Sequence, residues 1–359
     1  NANPPATTEQ SNSKEDKKDL STKTEEEVAT LPKDKAKEEA PKKEGWQEEN
    51  KQWRFYENNQ PVLKWKKIQD KWYYFDQEGN RLSDTIFDGY VLNKDGVMVE
   101  NGWVALEGKW YYASESGKII QQTWKKIGGV WYYFDKDGVM LSQTIVDGYL
   151  LTKSGAMAEN GWIKLDQNWY YVTPSSRISQ DKWEKINGSW YYFDKNGVML
   201  SQTTIGAYLL GDSGAMAENS WVKINENWYY ANAYGKYSQD KWEKINGSWY
   251  AFEQNGVMLS NKWKESYYLK ASGAMAEKEW IFDKSYNSWF YLKADGRYAN
   301  QEWIGAYYLK AGGYMTKNEW IYDDYYKARY YLDDSGHYVS GTYKIDGKEH
   351  LFQKYGQWI

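Results

Sequence analysis

Paired tryptophans followed by tyrosines are the side chains of this chain with the clearest chemistry. Trp183 and Trp190 stand seven residues apart, Tyr191 and Tyr192 follow at once, and the arrangement recurs along the sequence. The chain holds 22 Trp and 35 Tyr, although its mean hydropathy is −0.92. Aromatic ring faces attract cations, above all weakly hydrated quaternary ammonium groups. The pattern therefore indicates ring-walled boxes that bind a cation, with packing in a hydrophobic core as the alternative.

These aromatic residues belong to an internal repeat of about 20 residues, of which the chain holds sixteen copies. Related units begin at Trp46, Trp65, Trp103, Trp124, Trp162, Trp183, Trp221, Trp242, Trp263, Trp280, Trp303 and Trp320, and degenerate units at Ile86, Ile145, Thr204 and Tyr343. Three units form a longer period of 59 residues up to Trp263, after which two units form a period of 40. The array therefore has two sections with different rhythm.

Each unit reads as a β-hairpin. Asn187-Gly188 lies between two short runs of aromatic and branched residues, and both residues tolerate positive φ, which predicts a type I′ turn. Alternation along the strands puts Trp183, Trp190 and Tyr192 on one face and Tyr191 on the other. A single hairpin of this size is marginal in water, so we expect the hairpins to stack into an all-β solenoid.

Composition divides the chain into three parts. Residues 1–45 hold no aromatic residue, 11 Asp/Glu, 9 Lys and four of the six Pro, which predicts a disordered charged tail. We interpret this tail as a spacer or leader, with a functional tail as the alternative. Residues 46–262 form the repeat array with the 59-residue period, and residues 263–359 form the array with the 40-residue period.

Several classes of protein are disfavoured by composition. The absence of Cys argues against disulfides and thiolate metal sites, and a net charge of −4 supplies no global basic field for nucleic acid. No apolar run is long enough for a transmembrane segment. The two histidines, His337 and His350, lie in terminal, poorly matching units, and Asp residues fall mostly at turns. We therefore expect no enzyme activity, no cofactor and no metal.

The pattern Trp-x-Lys-x-x-Gly-x-Trp-Tyr-Tyr-Phe-Asp-x-x-Gly-x-Met covers essentially all of residues 45–359. It resembles the repeats of pneumococcal-type choline-binding proteins, a cell-wall-binding family. The resemblance implies a secreted bacterial surface protein, attached non-covalently to the wall through choline or phosphocholine on teichoic and lipoteichoic acids. In that family a cage takes two Trp from one hairpin and a Tyr, often with a Met, from the next.

Carried over residue by residue, the resemblance implies five choline-binding cages. They comprise Trp46, Trp53 and Tyr74; Trp103, Trp110, Tyr133 and Met140; Trp162, Trp169, Tyr192 and Met199; Trp242, Trp249, Tyr268 and Met275; and Trp280, Trp289, Tyr308 and Met315. In the first cage Arg81 takes the place of the methionine. The methionines have a simpler alternative role as gap fillers.

Four other tryptophan pairs lack a tyrosine at the corresponding position of the next unit. Trp65/Trp72, Trp124/Trp131 and Trp183/Trp190 are followed by Val91, Leu150 and Leu209, and Trp221/Trp228 by Ala251. We expect these four grooves to bind choline weakly or not at all.

Three other roles compete with simple anchoring. The anchored array could bind host proteins as an adhesin, or it could modulate wall hydrolases by competing for choline. A glucan-binding repeat protein is the remaining alternative, because similar aromatic repeats occur in glucan-binding domains.

Overall fold

A computed structural model describes residues 39–359, and residues 1–38 of the predicted tail lie outside the described residues. Residues 39–44 have no regular structure, and the first strand begins at Gly45. The described chain contains 33 β-strands and no helix. The strands form sixteen separate sheets, each built from neighbours in sequence. The predicted all-β array of sixteen hairpins is confirmed.

Eleven hairpins are long, with strands of five or six residues. Their strands are β1 (Gly45–Glu49) and β2 (Gln52–Glu57), extended by β3 (Gln60–Pro61); β4 (Lys64–Ile68) and β5 (Lys71–Phe75); β8 (Gly102–Leu106) and β9 (Lys109–Ala113); β10 (Thr123–Ile127) and β11 (Val130–Phe134); β14 (Gly161–Leu165) and β15 (Asn168–Val172); β16 (Lys182–Ile186) and β17 (Ser189–Phe193); β20 (Ser220–Ile224) and β21 (Asn227–Ala231); β22 (Lys241–Ile245) and β23 (Ser248–Phe252); β26 (Glu279–Asp283) and β27 (Ser288–Leu292); β30 (Glu319–Asp323) and β31 (Ala328–Leu332); and β32 (Gly341–Ile345) and β33 (Lys348–Phe352).

Five hairpins are short, with strands of three residues. They are β6 (Thr85–Phe87) and β7 (Tyr90–Leu92); β12 (Thr144–Val146) and β13 (Tyr149–Leu151); β18 (Thr203–Ile205) and β19 (Tyr208–Leu210); β24 (Lys262–Lys264) and β25 (Tyr267–Leu269); and β28 (Glu302–Ile304) and β29 (Tyr307–Leu309). Three of them are the degenerate units that begin at Ile86, Ile145 and Thr204.

The turns follow the expected chemistry. Asn187 and Gly188 have φ of 49° and 86°, as a type I′ turn requires. After several hairpins a second turn is fixed by a polar side chain. The Asp135 carboxylate, for example, accepts hydrogen bonds from the backbone N–H of Asp137 and Val139, both at 2.9 Å. This aspartate therefore has a structural role.

Strand register fixes which side chains share a face. In β10 and β11, Trp124 pairs with Tyr133, and Lys126 pairs with Trp131. The rings of Trp124 and Tyr133 lie 5.2 Å apart, so the predicted shared face of tryptophans and second tyrosine is confirmed. Phe134 lies on the strand beside them and is fully buried.

The chain forms two compact units. Of the described residues, the first contains residues 39–182 together with Phe193–Met199, and the second contains Trp183–Tyr192 together with Leu200–Ile359. Within each unit, successive hairpins pack face against face, which gives a solenoid of stacked hairpins. The predicted division of the array after residue 262, where the repeat period changes from 59 to 40 residues, stays a prediction.

Candidate functional site

Two tryptophans on one hairpin form a corner of two indole rings. The ring centroids of Trp103 and Trp110 lie 6.4 Å apart with an interplanar angle of 80°, and those of Trp46 and Trp53 lie 6.3 Å apart at the same angle. Nine of the long hairpins carry tryptophan at both positions, and we call the space between the two tryptophans and the next hairpin a groove. Two perpendicular ring faces can contact one small cation from two sides.

The second tryptophan of each pair is unusually open to solvent. Trp72 is 36% exposed and Trp289 is 42% exposed, and most of the other second tryptophans fall between these values. A core position would bury such a large apolar ring. The exposure therefore argues against the reading of these rings as simple packing.

The third ring of a groove is the first tyrosine of the next hairpin. Tyr90 lies 5.2 Å from Trp65, and Tyr132 lies 4.8 Å from Trp103. The same contact joins Trp46 to Tyr73 at 4.9 Å, Trp124 to Tyr149 at 5.5 Å, Trp183 to Tyr208 at 5.5 Å, Trp221 to Tyr250 at 4.8 Å, Trp242 to Tyr267 at 5.5 Å and Trp280 to Tyr307 at 5.1 Å. Burial raises the pKa of Tyr132, which favours its neutral phenol.

The tyrosines predicted from sequence pack beside the first tryptophan of their own hairpin. The prediction was wrong by one residue, because the ring in the groove is the tyrosine one position earlier in the chain. Tyr74 stacks on Phe87 at 4.0 Å and lies 5.3 Å from Trp65, on its own hairpin. The others likewise lie beside the first tryptophan of their own hairpin: Tyr133 at 5.2 Å from Trp124, Tyr192 at 5.4 Å from Trp183, Tyr268 at 5.0 Å from Trp263 and Tyr308 at 5.1 Å from Trp303.

The physical reason is strand alternation. Hairpins stacked in one orientation present opposite faces to each other, so the tryptophan face of one meets the other face of the next. Neighbouring residues on a strand point to opposite faces. The ring that enters the groove is therefore the residue before the predicted tyrosine. A sequence signal for it exists, because every unit that follows a tryptophan pair keeps a tyrosine there.

The four grooves that were expected to lack a third ring therefore each contain a tyrosine from the next hairpin. Val91, Leu150, Leu209 and Ala251 are fully buried and do not form the groove wall. The residues before them are Tyr90, Tyr149, Tyr208 and Tyr250, which make the ring contacts given above. The prediction that these grooves are incomplete was wrong for the same reason.

All eight methionines of the chain occupy one equivalent position. The backbone N–H of Met140 donates to the carbonyl of Trp110 at 2.8 Å, and Met98 makes the same bond to Trp72. The bond recurs for Met157 with Trp131, Met199 with Trp169, Met216 with Trp190, Met258 with Trp228, Met275 with Trp249 and Met315 with Trp289. The four methionines predicted as a fourth wall thus lie beside their tryptophans, and four more were missed.

Glycine makes room for this methionine. A Cβ placed on Gly117 would lie 2.8 Å from Met98 Cε, and the φ of Gly117 is +88°. A side chain at this position would push the methionine out of the groove. We call the set of two tryptophans, tyrosine and methionine a cage.

Two cages line distinct cavities that are open to solvent. One of about 380 Å³ is lined by Trp65, Trp72, Tyr90 and Met98, and Ser116 of the following turn contributes its edge. A cavity of about 350 Å³ is lined by Trp183, Trp190, Tyr208, Met216 and Tyr234. Both lie in grooves that the sequence predicted to be incomplete.

The pair Trp162 and Trp169 has the same corner geometry, with centroids 6.3 Å apart. Trp162, Trp169 and Met199 belong to the first of the two compact units, whereas Tyr192 belongs to the second compact unit. The completion of this cage by a tyrosine stays a prediction.

In four of the short hairpins the cage tyrosine touches a side chain from the turn that follows the next hairpin. Lys118 Nζ lies 4.6 Å from the ring of Tyr90, and Arg177 lies 4.6 Å from the ring of Tyr149. Arg297 Nε donates to the Tyr267 hydroxyl at 3.2 Å, and the ring of His337 lies 4.4 Å from that of Tyr307. These contacts fix the third ring from outside the groove.

The grooves behind the short hairpins are closed. Val91 packs with Val104, Tyr111 and Ile119 in a buried cluster, and equivalent clusters contain Leu150 and Leu209. In the later short hairpins a single tryptophan is anchored by a carboxylate: the indole N–H of Trp263 donates to Asp283 at 2.7 Å. These grooves have no second tryptophan and no cage.

The described residues contain no group of three or more His, Cys, Asp or Glu that could hold a metal ion. In residues 39–359 there is also no helix long and apolar enough to cross a membrane. Both histidines make ring contacts, His337 with Tyr307 and His350 with Trp320 at 5.3 Å.

Comparison with protein families gives matches along most of the repeat array. Sequence profiles of the choline-binding repeat match residues 121–162, 181–221, 257–298 and 297–338. A profile of a cell wall binding repeat matches residues 64–80, 101–119, 160–175, 219–236 and 240–258. No match was found among curated protein sequences.

Similar solved structures come from Streptococcus pneumoniae. The autolysin LytC, solved with a synthetic peptidoglycan ligand, is 27% identical over 64% of this chain and 51% of the autolysin, with a TM-score of 0.43. The choline-binding domain of CbpL is 28% identical over 60% of this chain and 96% of that domain, with a TM-score of 0.30. Choline binding protein F is 20% identical over 76% of this chain and 98% of that protein, with a TM-score of 0.26. This chain thus spans about half the length of the autolysin. Because the repeat profiles match well over half of its residues, the chain belongs to the family of choline-binding repeat proteins.

Proposed function

We propose that this chain is a secreted, non-catalytic protein of the bacterial surface that binds phosphocholine on teichoic and lipoteichoic acids and is held on the wall by that binding. The observation that carries the proposal is the repeated cage. In seven grooves within the two units, two tryptophans, a tyrosine from the next hairpin and a methionine meet.

A quaternary ammonium group suits these cages physically. Its methyl groups carry spread positive charge and are weakly hydrated, so little desolvation opposes entry between ring faces. Each ring contact contributes about 0.5 to 2 kcal/mol, which for three rings supports a dissociation constant of about 1 mM for a single choline. A wall polymer carries many such groups, and simultaneous engagement of several cages on one array multiplies the affinity.

The absence of catalysis is part of this proposal. His337 packs on Tyr307, and the Asp135 carboxylate accepts a backbone hydrogen bond within a turn, so both groups have structural roles in the repeats. The expected partner is therefore a small cationic group, and no cofactor enters the proposal.

Calorimetric titration of the chain with choline tests the proposal. Ethanolamine is a matched control, because its primary ammonium is strongly hydrated, and dextran tests the glucan-binding alternative. We expect heat from choline, little from ethanolamine and none from dextran. Binding of dextran without binding of choline would replace the choline-binding proposal by the glucan-binding one.

Competition with wall hydrolases follows from the same chemistry, since a choline group held in one cage is not available to another protein. Added protein should then slow lysis of choline-bearing walls by a choline-dependent hydrolase. A variant lacking several second tryptophans should lose this protection.

A role in binding host proteins is favoured by a different surface. The long hairpins formed by β26–β27 and β30–β31 carry aromatic side chains at their tips: Tyr286 is 54% exposed and Tyr325 is 86% exposed. Exposed tyrosines of this kind are enriched at protein interfaces. Capture of a host protein that is lost in a Tyr286→Ser, Tyr325→Ser double variant, with choline binding retained, would support this role.

A further inference from the structure

The first groove already contains a cation of the chain itself. The guanidinium carbon of Arg81 lies 5.7 Å from the ring centroid of Trp46 and 5.8 Å from that of Trp53. Both distances fall within the range at which a cation is attracted to an indole face. These are the two tryptophans of the first predicted cage, and Tyr73 lies 4.9 Å from Trp46 as its third ring.

Arg81 occupies the position that methionine has in the other cages. Its backbone N–H donates to the carbonyl of Trp53 at 2.7 Å, as Met98 does to Trp72 at 2.8 Å. It also forms the isolated bridge to Phe75 that Met140 forms to Phe134. The backbone therefore delivers both side chains to equivalent places, and only their length and charge differ.

The environment of Arg81 is unusual for an arginine. Its Nε is buried and, among the described residues, has no hydrogen-bond partner. Burial lowers the pKa of Arg81, and Asp95 opposes this shift, although a guanidinium stays protonated at any physiological pH. Because a buried N–H without an acceptor is unfavourable, the indole faces are the groups that compensate for it.

We propose that Arg81 is a built-in ligand of the first groove, which excludes choline from the cage of Trp46, Trp53 and Tyr73. In this view the residue bonded to the second tryptophan's carbonyl decides what enters a groove: methionine leaves room for an external cation, and arginine supplies an internal one. The identity of the excluded ligand rests on the proposed function, whereas the insertion of Arg81 does not.

The internal cation also has a structural consequence. Contacts between neighbouring hairpins supply most of the stability of a stacked array. Arg81 ties the first hairpin to the second, and Arg54 Nε adds a hydrogen bond across the same junction to Asn80 Oδ1 at 3.1 Å. The first groove thus uses the chemistry of a cage as a clamp.

Reciprocal substitutions in the full chain test the proposal. Arg81→Met should raise the number of choline molecules bound at saturation by one, and Met98→Arg should lower it by one, as counted by equilibrium dialysis. The remaining sites should keep their affinity within about twofold, since each cage is built from local contacts. Thermal unfolding of both variants checks that the array remains folded.

A second measurement does not depend on choline. In the parent chain, ring currents of Trp46 and Trp53 should shift the δ-methylene protons of Arg81 upfield in the NMR spectrum, and Trp53→Ala should return them toward ordinary values. Saturating choline should leave these signals unchanged.

The outcomes separate the two proposals. A parent chain that binds no choline overturns the proposed function, and the NMR signals then decide on Arg81 alone. A parent chain that binds choline, with the same number of sites in both variants, overturns the present inference. Ordinary proton shifts for Arg81 in the parent chain overturn it as well.

Discussion

The two faces of one short hairpin behave in opposite ways. On one face of β6–β7, Tyr90 completes an open cage with Trp65 and Trp72. On the other face, Val91 is fully buried against Val104 and Tyr111. Residues 90 and 91 are neighbours on a three-residue strand. One step along the chain therefore separates a cage wall from a hydrophobic core.

The same contrast recurs in two of the other short hairpins. Tyr149 and Tyr208 face tryptophan pairs, whereas Leu150 and Leu209 are fully buried in clusters on the opposite side. A short hairpin has lost both of its own groove tryptophans in these cases, yet it still supplies the third ring for the hairpin before it. In such a unit the groove toward the following hairpin is therefore closed, whereas the groove toward the preceding hairpin keeps its third ring.

The largest expected effect is on the closed face. Leu150→Ala removes a fully buried side chain from the cluster with Tyr170 and Ile178, which should lower the free energy of unfolding by about 2 to 5 kcal/mol. The number of choline sites should not change at temperatures where the variant is folded. Urea unfolding and equilibrium dialysis measure the two quantities.

Leu63→Ala is the matched control for this substitution, because Leu63 is 47% exposed and should cost little stability. A loss of one choline site in Leu150→Ala, with stability retained, would contradict the assignment of Leu150 to the core.

The open face should show the reverse behaviour. Trp72 is 36% exposed, so Trp72→Ala should remove one choline site while lowering the free energy of unfolding by about 1 kcal/mol or less. Dialysis at saturating choline gives the site count. An unchanged count would mean that the groove of Trp65 is empty in the parent chain, as the sequence alone suggested.

Neighbouring tyrosines allow a direct test of which face enters a groove. Tyr132→Ala should weaken choline binding at the cage of Trp103 about 2- to 30-fold, the loss expected for one ring contact of 0.5 to 2 kcal/mol. Tyr133→Ala, its matched control, should leave this cage unchanged, because Tyr133 packs beside Trp124. Tryptophan fluorescence titration of both variants provides the comparison, and the opposite order of effects would restore the prediction made from sequence.

Much of the fold could be predicted because its determinants are local. The turn of Asn187-Gly188 and the spacing of Trp183 and Trp190 lie within one unit, and the period of the units fixes the number of hairpins. The methionines also recur at one position of the repeat, which made four of them identifiable as cage candidates.

The tyrosine of each cage could not be assigned in the same way. Alternation within β11 shows that Tyr132 and Tyr133 point to opposite faces, but it does not say which face meets the preceding tryptophans. That choice is set by how two hairpins stack, which is a contact between units. The distances of Tyr132 and Tyr133 from Trp103 and Trp124, respectively, supply this information.

The smallest expected effect concerns the lysine that shares a cage ring with the ligand. Lys118 Nζ lies 4.6 Å from the ring of Tyr90 and is held by a 2.8 Å hydrogen bond to the carbonyl of Asp88. A choline in this cage would place a second positive charge near the same ring. Two charges separated by about 8 Å near a protein surface repel each other by a few tenths of a kcal/mol up to about 2 kcal/mol. Lys118→Met should therefore strengthen choline binding at this cage by about twofold at low salt, and the gain should vanish near 1 M salt, where screening is strong.

Lys94→Met, at an exposed turn position, is the control and should change nothing. Weaker binding in Lys118→Met would show instead that the lysine acts mainly by holding the ring of Tyr90 in place. The contact between Lys118 and Tyr90 would then be part of the support of the cage, and charge repulsion would be the smaller effect.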